Sequence, residues 1–429
     1  MTTRTDPTVE VRQDRHLIRP NAHSKRFVRV RIEAPRATTE RTRPPVNLAM
    51  VVDRSGSMSG AKLRVAKAAV EEAIGRLQPA DRFSVVVYDD VVDVVCASTT
   101  ASAEGRRGAI DRLRAVEARG STNLAEGWLR GCEQVAAHLV AEGVNRCLLL
   151  TDGLANVGIT APDELTRHAR ELKARGVSTS TFGVGNDFDE KLLTDLADAG
   201  GGHFYYIADA PQIRDAITSE VGETLETVAR EVALEITARD DIRIDAISPY
   251  RLTTSGNRTT VSLGDLVSEQ VVEVVLRLSF PYGQLGQETG MIVAVTDQDG
   301  VFAGGTAGRD PIRVTWSYAS DRDNDVQTRD RDVDRAVARL FAARARQEAI
   351  RLNRAGEFDA ARRVLMATRG RIERYADGDP EILSVLGMLD QEQVVYAAPM
   401  AEASRKQAYY SSANTLRSRD VQGRSVRRS

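Results

Sequence analysis

The chain has little of what most redox and acid–base chemistry is built from, with only 3 cysteines and 5 histidines among 429 residues. Cys96, Cys132 and Cys147 are odd in number and form no C-x-x-C pair, which excludes a disulfide scaffold and a cysteine zinc cage. Each lies in an apolar or helical context and reads as a small buried hydrophobe. A reducing compartment is therefore expected, and the protein is read as cytoplasmic. Long apolar runs are missing: no window approaches the ~20 residues that cross a bilayer, and Met1–Pro20 has no signal-peptide core. An excess of one charge is missing too. The 59 Lys+Arg and 61 Asp+Glu nearly cancel, so nucleic acid is not expected as a partner. Three further motifs are lacking, G-x-x-x-x-G-K-[ST], H-E-x-x-H and G-x-S-x-G. Their absence argues against a P-loop nucleotide site, a zinc protease and a hydrolase elbow.

What remains is an ordinary globular composition, 42% hydrophobic and 28% charged, long enough for two or three domains. From Val46 to about Glu226, β-rich runs alternate with amphipathic stretches. Val46–Val52 and Arg146–Leu150 are continuous apolar runs of the kind buried on both faces of a parallel sheet. The expected order β-α-β-β-α-α-β-α-β-α-β-α implies a mostly parallel sheet with helices on both faces and one antiparallel edge strand. Ligands of such sheets bind beyond the carboxyl ends of the strands.

Between Glu231 and Ser317 the pattern changes to alternating β-branched runs without helical period, which predicts an antiparallel β-sandwich. Arg26–Ile32 alternates in the same way before the α/β region begins, and alone it would leave an open edge. It is expected to complete the sandwich, so that the α/β domain is inserted into the β domain. The divisions read as an N-terminal segment over 1–45, the α/β domain over 46–227 and the sandwich over 228–320. A helical region over 321–398 and a flexible basic tail over 399–429 follow. Asp321, Asp323 and Asp325 imitate the start of a calcium loop, but Val326 stands where that loop needs glycine. A solvated linker is expected there.

The strongest chemical signal is Asp53-Arg54-Ser55-Gly56-Ser57, set where a buried strand ends and a helix begins. Asp53, Ser55 and Ser57 offer oxygens at alternate positions, and hard cations take oxygen ligands. Thr122 and Asp152 come from two other loops at the same edge of the sheet. As an N-cap alone, a D-x-S-x-S run would mean little. With Thr122 and Asp152 in place, a cation cage is the stronger reading.

These residues resemble the metal-ion-dependent adhesion site (MIDAS) of the von Willebrand factor A (VWA) domain: D-x-S-x-S, then Thr, then Asp followed by Gly. The resemblance covers about Val46–Glu226, keeps all five positions in order, and extends to bacterial cytoplasmic VWA proteins. It implies a Rossmann-like doubly wound α/β fold and a Mg²⁺ or Mn²⁺ site. Asp53, Ser55, Ser57 and Thr122 would be ligands, with Asp152 a ligand or an acceptor behind them. It also implies a protein partner whose carboxylate completes the octahedron. The expectation is a metal-dependent scaffold with no small-molecule substrate and no catalysis. The alternatives are a metal-assisted hydrolase, or a regulatory subunit in which the metal loop is only structural.

Overall fold

The computed structural model describes residues 6–37, 43–304 and 311–428. The parts of the expected N-terminal segment, sandwich and tail that fall on 1–5, 38–42, 305–310 and 429 lie outside the described residues. The chain forms two compact units, residues 1–38 with 228–429 and residues 39–227. Three strands open the first unit: β1 (Thr8–Gln13), β2 (Leu17–Ile18) and β3 (Lys25–Glu33).

The second unit carries β4 (Val46–Asp53), α1 (Ala61–Arg76), β5 (Arg82–Tyr88), β6 (Val92–Thr100), α2 (Ala103–Arg114) and α3 (Leu124–Ala136). It continues with β7 (Val144–Thr151), α4 (Pro162–Ala174), β8 (Ser178–Val184), α5 (Glu190–Ala199), β9 (Gly201–Ile207) and α6 (Ala210–Leu225). The strands lie in the order β6-β5-β4-β7-β8-β9. All pairings are parallel except the antiparallel β5–β6 hairpin. Strand order reverses between β4 and β7, and a crevice opens at such a switch point beyond the carboxyl ends. Asp53 ends β4 and Thr151 ends β7.

Every residue of β4 and β7 is buried, which explains why these runs are apolar throughout rather than alternating. Leu48, Met50 and Val52 face a core shared with Leu63, Ala66 and Val70 of α1 and Ile213 and Ile217 of α6. On the opposite face α3 approaches closely because it is notched by glycine. A Cβ at Gly127 would lie 2.4 Å from the Tyr88 ring, and one at Gly131 would lie 2.2 Å from Val51 Cγ2. Asn123 caps the start of α3, accepting from the Glu126 amide.

In the first unit, β10 (Thr227–Ala238), β11 (Arg243–Ala246), β12 (Arg251–Ser255), β13 (Arg258–Val267), β14 (Val271–Ser279) and β15 (Glu288–Thr296) follow. After the single turn α7 (Val301–Gly304) comes β16 (Ile312–Tyr318). Two sheets result, β1-β3-β14-β11 and β12-β13-β10-β15-β16-β2. β3 pairs antiparallel with β14 from Glu33↔Val271 to Lys25↔Ser279. Val28, Val30 and Ile32 of β3 share one apolar core with Leu234, Ile236, Val293 and Trp316 of the other sheet.

Several details differ from the sequence expectation. The second sheet is not wholly antiparallel, since β16 and β2 pair in parallel at Ser317↔Leu17 and Tyr318↔Ile18. The strands β1 and β2 lie outside Arg26–Ile32 and Glu231–Ser317, and β12 falls between the alternating runs Ile242–Ile247 and Arg258–Leu263. Edge positions leave β1 and β12 half-buried or exposed, so their polar residues hide the pattern. The Asp321 run is not a linker. It forms the short helix α8 (Asp321–Val326), capped by Ser320, and Arg19 pairs with Asp321 and Asp325.

The helices α9 (Arg331–Arg354), α10 (Phe358–Glu373) and α11 (Pro380–Tyr396) occupy the expected helical region. The basic tail is corrected: α12 (Glu402–Leu416) continues the array, burying Lys406, Tyr410, Ala413 and Leu416. These positions repeat every three or four residues, so one narrow face packs although the segment as a whole is polar. Beyond it, Val271 N–H donates to Val426 O at 2.7 Å and Arg428 N–H to Glu269 O at 2.9 Å, which binds the end of the chain to β14 and the turn before it.

The notched contact of α3 generates a test. Gly131→Ala forces atoms apart in a packed interior and should cost about 1–3 kcal/mol. Gly75→Ala, where nothing lies within 4 Å, should gain about 0.5 kcal/mol from helix propensity. Urea denaturation of the two variants checks the opposite signs.

Candidate metal centre

The five expected site residues come from three loops at the switch point. Asp53 is fully buried, Ser55 is 2% exposed, Asp152 1% and Thr122 5%, while Ser57 is exposed. The cluster is thus closed below and open at Ser57. Asp53 Oδ1 accepts from the Ser55 amide at 2.8 Å, which folds the motif back on itself in an Asx-type turn. Asp53 Oδ2 accepts from Thr151 Oγ1, also at 2.8 Å. Ser55 Oγ lies 3.1 Å from Ser57 Oγ, and Ser57 Oγ donates to Asp152 Oδ1 at 2.6 Å. The chain Asp53–Ser55–Ser57–Asp152 is therefore continuous.

Thr122 comes from the loop ahead of α3. Its Oγ1 lies 3.3 Å from where a Cβ on Gly153 would be, one residue beyond Asp152. That loop is tied to the motif, since Gly56 N–H donates to Gly120 O at 3.1 Å and Arg119 N–H to Arg54 O at 2.9 Å. Gly120 has φ +67°, and a Cβ there would collide with the Asp90 carboxylate. Only glycine lets the Thr122 loop lie this close.

Six more residues support the site without standing out in the sequence. Arg54 is buried and donates to Asp89 at 2.9 Å and to Asp93 at 2.5 Å; Arg119 also reaches Asp89, at 2.8 Å. Burial alone would raise the Asp89 carboxyl, but Arg119, the Val91 amide and Arg54 hold it below the usual range. Thr151 holds Asp53, and Lys62 Nζ meets Asp152 Oδ2 at 2.5 Å. Arg54, the x of D-x-S, was the available signal, but nothing in its spacing says that it pairs with Asp89.

The donors that meet Asp53 are neutral. Burial pushes its carboxyl up to about 6, with the nearby Asp152 charge adding to the shift, against the hydrogen bonds from Ser55 and Thr151. A desolvated carboxylate held by the Ser55 amide and the Thr151 hydroxyl, with the Ser55 and Ser57 hydroxyls next along the same loop, is a donor set suited to a hard divalent cation.

Residues 47–219 match the family model of the von Willebrand factor type A domain, and this stretch is a VWA domain. The uncharacterized protein YfbK of Escherichia coli (strain K12) is 33% identical over 196 residues, 45% of this chain and 34% of that protein. Human inter-alpha-trypsin inhibitor heavy chain H4 is 30% identical over 167 residues, 38% of this chain and 18% of that protein. The chain thus spans about a third or less of the length of these relatives. Among solved structures, the von Willebrand factor type A protein from Catenulispora acidiphila superposes with a TM-score of 0.75. It covers 96% of this chain and 98% of its own at 20% identity, a likeness of fold alone. These matches indicate no catalytic family. Among the described residues, no helix is long and apolar enough to cross a membrane.

The raised Asp53 carboxyl has a sign that can be measured. A buried acid with a folded pKa of about 6 against an ordinary 3.8 stabilises the fold most below 3.8, and that contribution is lost as pH rises through about 6. Asp53→Asn does not carry this titration. In chelator, its melting temperature relative to the parent should rise between pH 4 and pH 7. A difference that stays flat across that range contradicts the assignment.

Proposed function

We propose that the VWA domain of this chain binds a divalent cation, Mg²⁺ or Mn²⁺, through Asp53, Ser55, Ser57 and Thr122, and through it an acidic group of a protein partner. Asp152 acts from behind by accepting the Ser57 proton. The observation that carries this reading is the continuous chain of oxygens from Asp53 to Asp152, closed below by burial and open at Ser57. One carboxylate with three hydroxyls is a lightly charged cage. A bound cation supplies a Lewis-acid position for a carboxylate oxygen, and the protein's part is to hold its own oxygens in place.

Binding rather than turnover is the proposed role. Among the described residues, the groups that meet at the site are carboxylates and hydroxyls, with the Lys62 ammonium engaged by Asp152. With Asp53 committed to the cation, such a set is suited to holding a ligand rather than to moving a proton to and from a substrate. The exposed Leu154, two residues after Asp152, gives the rim an apolar contact beside the charged one. We read the division of the chain as an α/β binding module over 46–227, followed in sequence by the sandwich of 228–320 and the helices beyond. A reducing, cytoplasmic setting is part of the same proposal and rests on the three buried thiols.

Millimolar Mg²⁺ or Mn²⁺ should raise the melting temperature of the parent protein. The gain is about 2.7 kcal/mol at a hundredfold excess over Kd, and it should vanish in Asp53→Ala. Affinity capture with and without chelator, compared by mass spectrometry, should show partners lost on chelation and absent from the Asp53→Ala sample. No thermal response to either cation overturns the proposal.

A further inference from the structure

Lys62 stands in the first turn of α1, where the helix dipole disfavours a cation. Its side chain is 31% exposed and reaches inward to Asp152 Oδ2 at 2.5 Å, and the Asp152 side chain is fully buried. The ammonium passes near the end of β8 as well: a Cβ on Gly185 would lie 3.8 Å from Nζ. The other oxygen of Asp152 is taken by the Ser57 hydroxyl at 2.6 Å. Both carboxylate oxygens therefore already have a strong donor. Ser57, with its hydroxyl hydrogen directed at Asp152, presents its lone pairs to Ser55 Oγ, 3.1 Å away, and to the centre of the cluster.

We propose that Lys62 sets the charge of the cation site. It fixes Asp152 as a proton acceptor behind Ser57 rather than a ligand, and it leaves the loaded site with net positive charge. The proposal rests on the cation-binding reading above. The arithmetic uses only formal charges. Asp53 and Asp152 contribute two negative charges and Lys62 one positive, so a divalent cation leaves one positive charge over. Without Lys62 the same site would be neutral when loaded, and its attraction for an anionic group would fall. At a few ångströms in a partly desolvated crevice, one unit of charge changes affinities by an order of magnitude or more. Lys62 thus trades cation affinity for anion affinity, a specificity role for a residue outside the five-residue motif.

A double-mutant cycle on the full chain tests this, with Mn²⁺ as the metal probe, read by the electron paramagnetic resonance of free Mn²⁺, and glutarate as the carboxylate probe. Lys62→Met should bind Mn²⁺ about tenfold tighter and lose the tightening that glutarate gives the parent. Lys62→Arg keeps the charge and should behave as the parent does. Asp152→Asn should weaken Mn²⁺ about tenfold. The double variant removes one charge of each sign and should return to the parent's affinity, which also keeps the test decisive should one single variant fold poorly. A double variant that binds as weakly as Asp152→Asn makes Asp152 a direct ligand and overturns the proposal. So does a Lys62→Met protein with unchanged Mn²⁺ affinity and glutarate response beside a parent that binds. A parent that binds no Mn²⁺ overturns the cation-binding reading itself and this one with it.

Discussion

The arrangement depends on one electrostatic constraint, a carboxylate buried at the reversal point of a parallel sheet and met by neutral donors. Asp53 is fully buried, and the hydrogen bonds from Ser55 and Thr151 do not offset the loss of water, which is why its carboxyl titrates high. A fold keeps such a group only where something else balances it. In the function proposed above, a cation held by the neighbouring oxygens supplies that balance. The Asx-type turn forms on that acid at the end of β4, and the Ser55–Ser57 contact and the Ser57–Asp152 bond extend it to the end of β7.

The remainder of the α/β unit holds the loops still. The order β6-β5-β4-β7-β8-β9 brings the ends of β4 and β7 side by side, although almost a hundred residues separate Asp53 from Asp152. The Arg54–Asp89–Arg119 network ties the motif loop to the β5–β6 turn and the Thr122 loop. The glycine-notched α3 pulls Thr122 toward the same edge from the other face. Buried charge pairs of this kind add little net stability, but breaking one is costly, so they are better understood as fixing geometry.

The first unit shows a different economy. Its two sheets share one apolar core to which β3 contributes from the far side of the α/β segment in sequence. In the helical array of α9 to α12, α9 contributes mainly alanines to a core that α10 and α11 fill with larger side chains such as Leu365, Ile382 and Leu389, with charged partners at the margins, among them Arg346–Glu392 and Arg335–Asp379. Lys406 is buried in the last of these helices. A segment rich in arginine and poor in large apolar residues can still be ordered when one narrow face finds a neighbour.

Periodicity alone determined the order of strands and helices between Val46 and Glu226, because runs buried on both faces, such as Val46–Val52, and amphipathic helices leave unmistakable patterns. Alternation likewise marked Arg26–Ile32 as a strand in need of a partner. The five oxygen-bearing residues were legible because their types and their places at strand ends are local properties. The edge strands β1 and β12 and the helix α12 were not, since partial burial leaves no clear apolar signature. The pairing of Lys62 with Asp152, the charge of the crevice and the ties through Arg54 and Thr151 were decided only by the tertiary structure. Contacts between residues thirty to a hundred positions apart depend on strand order and crossover geometry, which no local spacing encodes.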